Sequence, residues 1–223
     1  MKLGVLFSGG KDSVYSAYLA RKEGHELSCL ITIKSTNKDS FMFHTPSITK
    51  TVKQAEVMHI PIFIYETLGE KEKEIADLKD AIKKAVEDYS IEGIVTGAIK
   101  SVYQASRIQK SCNELGLECF NPLWQKDEEL YLEELIENNF EVILTGVFAY
   151  PFDESWVFRK IDSAFVNEIN EFNRKYKIHV AGEGGEFETY VINCPLFSHE
   201  LKIKNKKIIQ EGENSFRGEL EIE

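Results

Sequence analysis

KLGVLF at residues 2–7, running without a break into SGGKDS at residues 8–13, decides how this chain folds. The first stretch is an apolar run of strand length, the pattern of a strand covered on both faces. The second carries two glycines, a lysine, two hydroxyls and a carboxylate. Behind it Val14, Ala17, Tyr18 and Arg21 share one helical face, and Gly24 stands where such a helix would be capped. A strand passing into a helix through these residues makes a phosphate cradle. Gly9 and Gly10 let backbone N–H groups approach an anion closely. The helix adds N–H donors and the positive end of its dipole. Lys11 supplies a point charge, and Asp12 is a candidate to hold a magnesium ion or its water.

The type of phosphate loop matters for the chemistry. The common nucleotide loop reads G-x-x-x-x-G-K-[ST]. Here Val5 stands where its first glycine belongs, and Asp12 follows the lysine in place of Ser or Thr. The dinucleotide fingerprint G-x-G-x-x-G is also absent. The segment instead resembles the PP-loop, S-G-G-x-D-S, of the ATP pyrophosphatases, which cleave ATP between its α- and β-phosphates and transfer AMP to an oxygen.

Composition narrows the class. The chain has 223 residues, 43% hydrophobic and 29% charged, with a formal net charge of −10. That length suits one large domain or two small ones with an ample core. An acidic balance argues against a nucleic-acid partner, whose phosphates are usually met by a basic excess. No apolar run approaches a membrane span, and the start enters a strand directly, so no membrane partner and a cytoplasmic location are expected. Cys29, Cys112, Cys119 and Cys194 show neither a C-x-x-C pair nor zinc spacing, as expected of scattered buried thiols.

Strand-like runs at residues 2–7, 27–34, 61–65, 93–99 and 117–120 alternate with helical patterns. Ile75, Leu78, Ile82, Ala85, Val86 and Tyr89 form one such apolar stripe. This predicts an α/β fold, a doubly wound parallel sheet, with ligand binding outside the carboxyl ends of its strands. After Trp124 the texture changes. A charged helix near residues 127–138, a strand at 141–148, a loop bearing Trp156 and a helix ending near Lys177 lead into strands and turns. Residues 201–203 and 207–209 read as hairpin arms around Asn205. The expected division is a first domain of residues 1–122 and a smaller α+β C-terminal domain of residues 123–223.

Two further segments stand out. GAIKSVYQASR at residues 97–107 ends a strand in small residues and begins a helix carrying Tyr103, Gln104 and Arg107. Gly97 and Ala98 leave room for a nucleotide, and Arg107 can reach a phosphate or carboxylate. GEGGEFET at residues 182–189 concentrates glycines and carboxylates, and alternation would set Glu186 and Glu188 on one side of an extended strand. Such carboxylates can hold a cation or act as general bases.

In order along the chain, SGGKDS, FMFHT at residues 41–45, the segment ending at Arg107, then PLW, DESW and GEGGEFET resemble the diphthine–ammonia ligase family. This archaeal and eukaryotic family belongs to the N-type ATP pyrophosphatases, with the adenine nucleotide alpha-hydrolase-like fold. The resemblance runs from Leu3 to about Phe197. It implies amidation of diphthine on translation elongation factor 2, with ATP, magnesium and ammonium consumed through a carboxyl-adenylate. By the same resemblance Ser8, Gly9, Gly10, Lys11, Asp12 and Ser13 grip the pyrophosphate end of ATP. Ile33, His44, Gly97 and Ala98 lie toward the nucleotide. Tyr103, Gln104, Trp156, Glu188 and Tyr190 are expected at the substrate, Trp156 and Tyr190 offering aromatic faces to a quaternary cation. Lys11, Asp12, Arg107, Glu183 and Glu186 are the expected catalytic residues. Two alternatives stay open: a tRNA-modifying PP-loop enzyme and a non-catalytic adenine-nucleotide sensor. So does the oligomeric state, with a homodimer among the options.

Overall fold

A computed structural model describes residues 1–35, 48–67 and 74–223, which divide into two units, Met1–Trp124 and Gln125–Glu223. In the first unit the chain runs β1 (Lys2–Leu6), α1 (Lys11–Lys22), β2 (Glu26–Ser35), α2 (Ile48–Met58), β3 (Ile62–Thr67), α3 (Glu74–Tyr89), β4 (Gly93–Val95), α4 (Val102–Leu115) and β5 (Glu118–Phe120). All four strand pairings are parallel, in the order β3-β2-β1-β4-β5.

The alternation of β2 explains why its sequence is apolar throughout. Cys29, Ile31 and Ile33 pack with Leu78, Ile82 and Ala85 of α3 and Ile108 and Cys112 of α4. Leu30 and Thr32 point to the opposite face, which α1 and α2 cover. The sheet is therefore doubly wound, as the sequence predicts. β4 is shorter than its apolar run suggests. It pairs over three residues; Thr96 still donates its N–H to the Phe120 carbonyl at 3.0 Å, and Ala98 and Ile99 stay buried beyond the strand. The helix α2 has no counterpart among the sequence expectations.

The second unit holds α5 (Glu128–Glu137), β6 (Glu141–Val147), a 3-10 turn at Glu154–Trp156, α6 (Ser163–Tyr176), β7 (Phe187–Asn193), β8 (Ile203–Gly212) and β9 (Ser215–Ile222). Its four strands form an antiparallel sheet in the order β7-β6-β9-β8. The expected hairpin is corrected in one respect. Asn205 lies inside β8, opposite Glu221, and the reversal comes at residues 212–215, where Gly212 and Ser215 close the pairing. Gly-Glu-Asn-Ser is the stronger turn sequence, and a turn at Asn205 would have cut a continuous strand in two. β8 forms one edge of this sheet and is exposed along almost its whole length.

Capping is explicit in this unit. Asp127 accepts the N–H groups of Glu129 and Leu130, each at 3.0 Å, and Asp162 accepts that of Phe165 at 2.8 Å. At the start of β6 the Glu141 carboxylate takes Lys160 Nζ at 2.6 Å and Asn193 Nδ2 at 3.2 Å. These bonds, Lys160's first, hold its carboxyl below the ordinary value. A carboxyl lowered in the folded state stabilises fully above its unfolded value and loses that contribution as pH falls through the folded one. Glu141→Gln should therefore lower stability at neutral pH and flatten its decline on acidification below about pH 4.3, the ordinary glutamate value. Urea unfolding across pH reads this out, and parallel wild-type and variant curves would contradict it. Asp162→Ala should cost about 1 kcal/mol in the same measurement.

Candidate functional site

The phosphate-type loop leaves β1 at its carboxyl end. Phe7 donates its N–H to the Ile31 carbonyl at 2.8 Å, and its own carbonyl accepts the buried Thr32 hydroxyl at 2.8 Å. The chain then turns through Gly9 at φ +81°, and Gly10 forms the N-cap of α1 with no side chain to close it. The Ser13 hydroxyl donates to the Gly10 carbonyl at 3.1 Å, accepts the Ser8 N–H at 3.3 Å and lies 3.2 Å from the Ser8 hydroxyl. The two serines brace the turn from within. Lys11 is buried, and its ammonium sits 3.0 Å from each carboxylate oxygen of Asp12.

Residues from β4 and α2 complete this corner. A Cβ on Gly97 would lie 2.8 Å from the carbonyl carbon and oxygen of Asp12, so only glycine lets the two backbones meet. Ala98 is buried beside it. Gln54 of α2, fully buried, donates from Nε2 to the Gly9 carbonyl at 2.9 Å. Its neighbour Thr51 is buried on the same helical face. Sequence reading missed both. The signal was two uncharged polar residues, three apart, on the otherwise apolar face of α2.

The backbone of β2 adds a second feature. Leu30 donates to Pro61 on the β3 side, and Ile31 accepts from Phe7 on the β1 side. Strand alternation turns the peptide groups of Ile33 toward β1 as well, but the β1–β2 pairing ends at Leu6 and Ile31. Ile33 buries its side chain in the core and presents backbone beyond the end of β1. His44 lies outside the described residues.

On α4, Ser101 caps the helix by accepting the Gln104 N–H at 3.3 Å. Arg107 lies flat on Tyr103, its guanidinium carbon 3.4 Å from the ring centroid, and Nη1 donates to the Tyr103 carbonyl at 3.2 Å. Its Nε is buried without a hydrogen-bond partner, and Arg107 has no ion pair among the described residues. A buried, unpaired guanidinium N–H is expensive, and such costs persist where a ligand can satisfy them.

In the second unit the glycine-rich loop is shaped by carboxylates. Glu186 Oε1 accepts the His179 N–H at 2.9 Å, and Oε2 accepts the Gly184 N–H at 2.8 Å. Glu128, buried at the first turn of α5, accepts the Ala181 N–H at 2.8 Å, with its other oxygen 3.7 Å from His179 Nδ1. Sequence reading missed Glu128, because a first-turn glutamate reads as an ordinary dipole partner. Glu183 sits half-buried within the loop.

Three expectations for this unit are corrected. Glu186 and Glu188 do not face one open side. β7 begins at Phe187, Glu186 curls back into its own loop, and Glu188 pairs with Arg217 at 2.8 Å. Trp156 is not an exposed aromatic face. It is 4% exposed among Phe152, Phe165 and Phe172, and the Arg159 guanidinium covers it at 4.3 Å. Tyr190 is likewise a core residue, its phenol pushed up by burial. Large aromatics serve this unit as core because its small sheet has few other ways to bury area.

Cys29, Cys112 and Cys194 are buried, while the hydrogen bond with Cys112 lowers the Cys119 thiol. Burial pushes Cys29 and Cys194 up to about 12, away from nucleophile behaviour. Among the described residues no three His, Cys, Asp or Glu side chains cluster to hold a metal. No described helix is long and apolar enough to cross a membrane.

Comparison with known proteins places both units. Residues 1–119 match the family model for the diphthamide synthase N-terminal domain, and residues 127–222 that for its C-terminal domain. A Rattus norvegicus protein named diphthine–ammonia ligase is 31% identical over 97% of this chain and 88% of its own length. The Homo sapiens protein of that name is 30% identical over the same shares. The Schizosaccharomyces pombe one is 29% identical over 94% of this chain but only 37% of its own length. A solved chain described as a predicted subunit of tRNA methyltransferase from Methanocaldococcus jannaschii aligns with 87% of this chain, at 20% identity and a TM-score of 0.45.

The Glu186 carboxylate gives a test of what shapes the glycine loop. Glu186→Ala should leave two N–H groups unpaired and cost about 2 kcal/mol or more in urea unfolding. Glu186→Gln should recover only part of that, since one acceptor oxygen becomes a donor facing a donor. A fully stable alanine variant would show that the loop holds itself.

Proposed function

We propose a reaction from one premise: this chain belongs to the diphthamide synthase family. The premise makes it an ATP-dependent ligase of diphthamide synthesis. The finer reading is that it amidates the carboxylate of diphthine on translation elongation factor 2, with ammonium as the nitrogen source. The observation that carries it is the loop at residues 8–13, where an uncapped α1 begins beside a buried lysine.

A carboxylate does not react with ammonia at useful rates, because oxide would have to leave. In the proposed sequence a carboxylate oxygen attacks the α-phosphorus of ATP and the bond to the bridging oxygen breaks, releasing pyrophosphate. The nitrogen of ammonia then attacks the carbonyl carbon, the bond to AMP breaks, and the nitrogen gives up a proton. The protein's part is positioning and charge stabilisation.

Each residue has a place in this reading. Ser8, Gly9, Gly10, Lys11 and Ser13 hold the departing pyrophosphate, and Lys11 neutralises its growing charge. Asp12, whose carboxylate lies 3.0 Å from the Lys11 ammonium, would be the residue to hold a magnesium ion or its water brought in with ATP. The Ile33 peptide groups beyond the end of β1 suit the hydrogen-bonding edge of adenine. Arg107, held flat by Tyr103 with Nε unsatisfied, suits the α-phosphate or the carboxylate that attacks it. Gln104 lies three residues before Arg107 on the same helix, toward the same substrate. In the second unit the ammonium-facing role goes to Glu183, in the loop that Glu186 and Glu128 hold in shape. Burial of Cys29, Cys112 and Cys194 disfavours glutamine hydrolysis at any of these three and fits free ammonium.

AMP release tests this, with magnesium, ATP and elongation factor 2 taken from cells blocked at the last step of diphthamide formation. Ammonium should support it and glutamine in ammonium-free buffer should not. AMP release without the modified factor, or equal rates with glutamine, would sink the reading. Lys11→Ala should lower the rate at least about 100-fold, the scale of losing one electrostatic stabiliser. Arg107→Lys should lower it almost as far, because an ammonium neither stacks on Tyr103 nor keeps the guanidinium fork.

A further inference from the structure

We infer that Gln54 aims the loop's Gly10 amide at the phosphates, making it a positioning residue for nucleotide binding; this rests on the ATP reading of the loop at residues 8–13. A phosphate loop must turn N–H groups toward the anion and carbonyl oxygens away from it. The carbonyl of Gly9 and the N–H of Gly10 belong to one peptide plane, and in a trans peptide they point in opposite directions. Whatever fixes one therefore fixes the other.

Gln54 does this from behind. Its Nε2 takes the Gly9 carbonyl at 2.9 Å, drawing that oxygen into the protein interior. The Gly10 N–H is thereby turned outward, where among the described residues it meets the Ser8 hydroxyl, at a long 3.4 Å. An anion carrying full charge would displace so weak a contact. The fit is tight on both sides. Gln54 and Thr51 are fully buried, and a Cβ on Gly9 would lie 2.4 Å from Gln54 Oε1. Gly9 is thus required twice, by its φ of +81° and by the glutamine against it. A buried glutamine whose amide meets a loop carbonyl adds little that leucine could not add to packing. Its donor is what the loop uses.

The test is calorimetric binding of magnesium pyrophosphate, magnesium ATP and AMP to the whole chain, with melting temperature recorded for each variant. Gln54→Met keeps the volume and removes the donor. It should weaken pyrophosphate and ATP binding by about tenfold or more, while AMP, held also at its adenine edge, changes less. Gln54→Glu places an acceptor against the Gly9 carbonyl. Its deficit relative to wild type should be largest at alkaline pH and shrink on acidification, when a protonated carboxyl can donate again. A Gln54→Met protein that binds pyrophosphate as wild type does, at an unchanged melting temperature, overturns the inference and leaves the ATP reading standing. Wild-type protein that binds neither pyrophosphate nor ATP overturns both. Should the variants fail to fold, nuclear magnetic resonance on the wild type decides. The Gln54 side-chain amide should be protected from solvent exchange, and the Gly10 amide should shift on adding pyrophosphate. A rapidly exchanging Gln54 amide, or an unmoved Gly10, would refute the role.

Discussion

Where the backbone leaves β4 at Gly97, it passes so close to the first turn of α1 that one methyl group would stand 2.8 Å from the Asp12 carbonyl. β1 and β4 are neighbours in the sheet, yet the chain winds away from them in opposite directions, toward β3 on one side and β5 on the other. Such a switch point opens a crevice at the carboxyl ends of the two strands. Gly97 narrows that crevice until the start of α1 is wedged against the end of β4. The loop at residues 8–13 therefore cannot drift without moving a strand end. A binding loop built from two glycines would otherwise be among the softer parts of a protein.

The rigidity of that loop is imposed from outside its own sequence. Thr32 holds the Phe7 carbonyl, Gln54 the Gly9 carbonyl, and Ser13 the Gly10 carbonyl. Anchors from β2, α2 and α1 thus occupy the carbonyls of Phe7, Gly9 and Gly10, and the Ser13 hydroxyl takes the Ser8 N–H as well. The loop's chemistry is local, but its conformation belongs to the whole first unit.

How far the sequence was readable follows the same division. The strands of the first unit were legible because burial on both faces makes them apolar without interruption, as in β2. The loop was legible because glycine, lysine and serine at a strand-to-helix junction have few other uses. α2 escaped notice because Thr51 and Gln54, buried to serve the loop, dilute the apolar stripe that announces a helix. Trp156 and Tyr190 misled for a different reason. An aromatic side chain reads the same whether it cages a ligand or fills a core, and only the fold decides, by packing Trp156 against Phe152, Phe165 and Arg159 and by burying Tyr190. Glu186 and Glu188 were rightly noticed together, but their fates depend on His179, Gly184 and Arg217, which adjoin them only in the fold.

The edge strand β8 carries a consequence for the protein's behaviour in a crowded cell. A long exposed edge invites pairing with the edge of another copy, the first step toward aggregation. Lys204, Lys206 and Lys207 lie along this strand and are exposed. Two such edges approaching each other would bring ammonium groups face to face before their backbones could bond. Lys204 also leans on Glu221 of β9 at 3.3 Å, so the charge that repels a second copy helps to hold the hairpin together. The lysines that line the sheet's outermost strand thus set a charge barrier in front of its open edge.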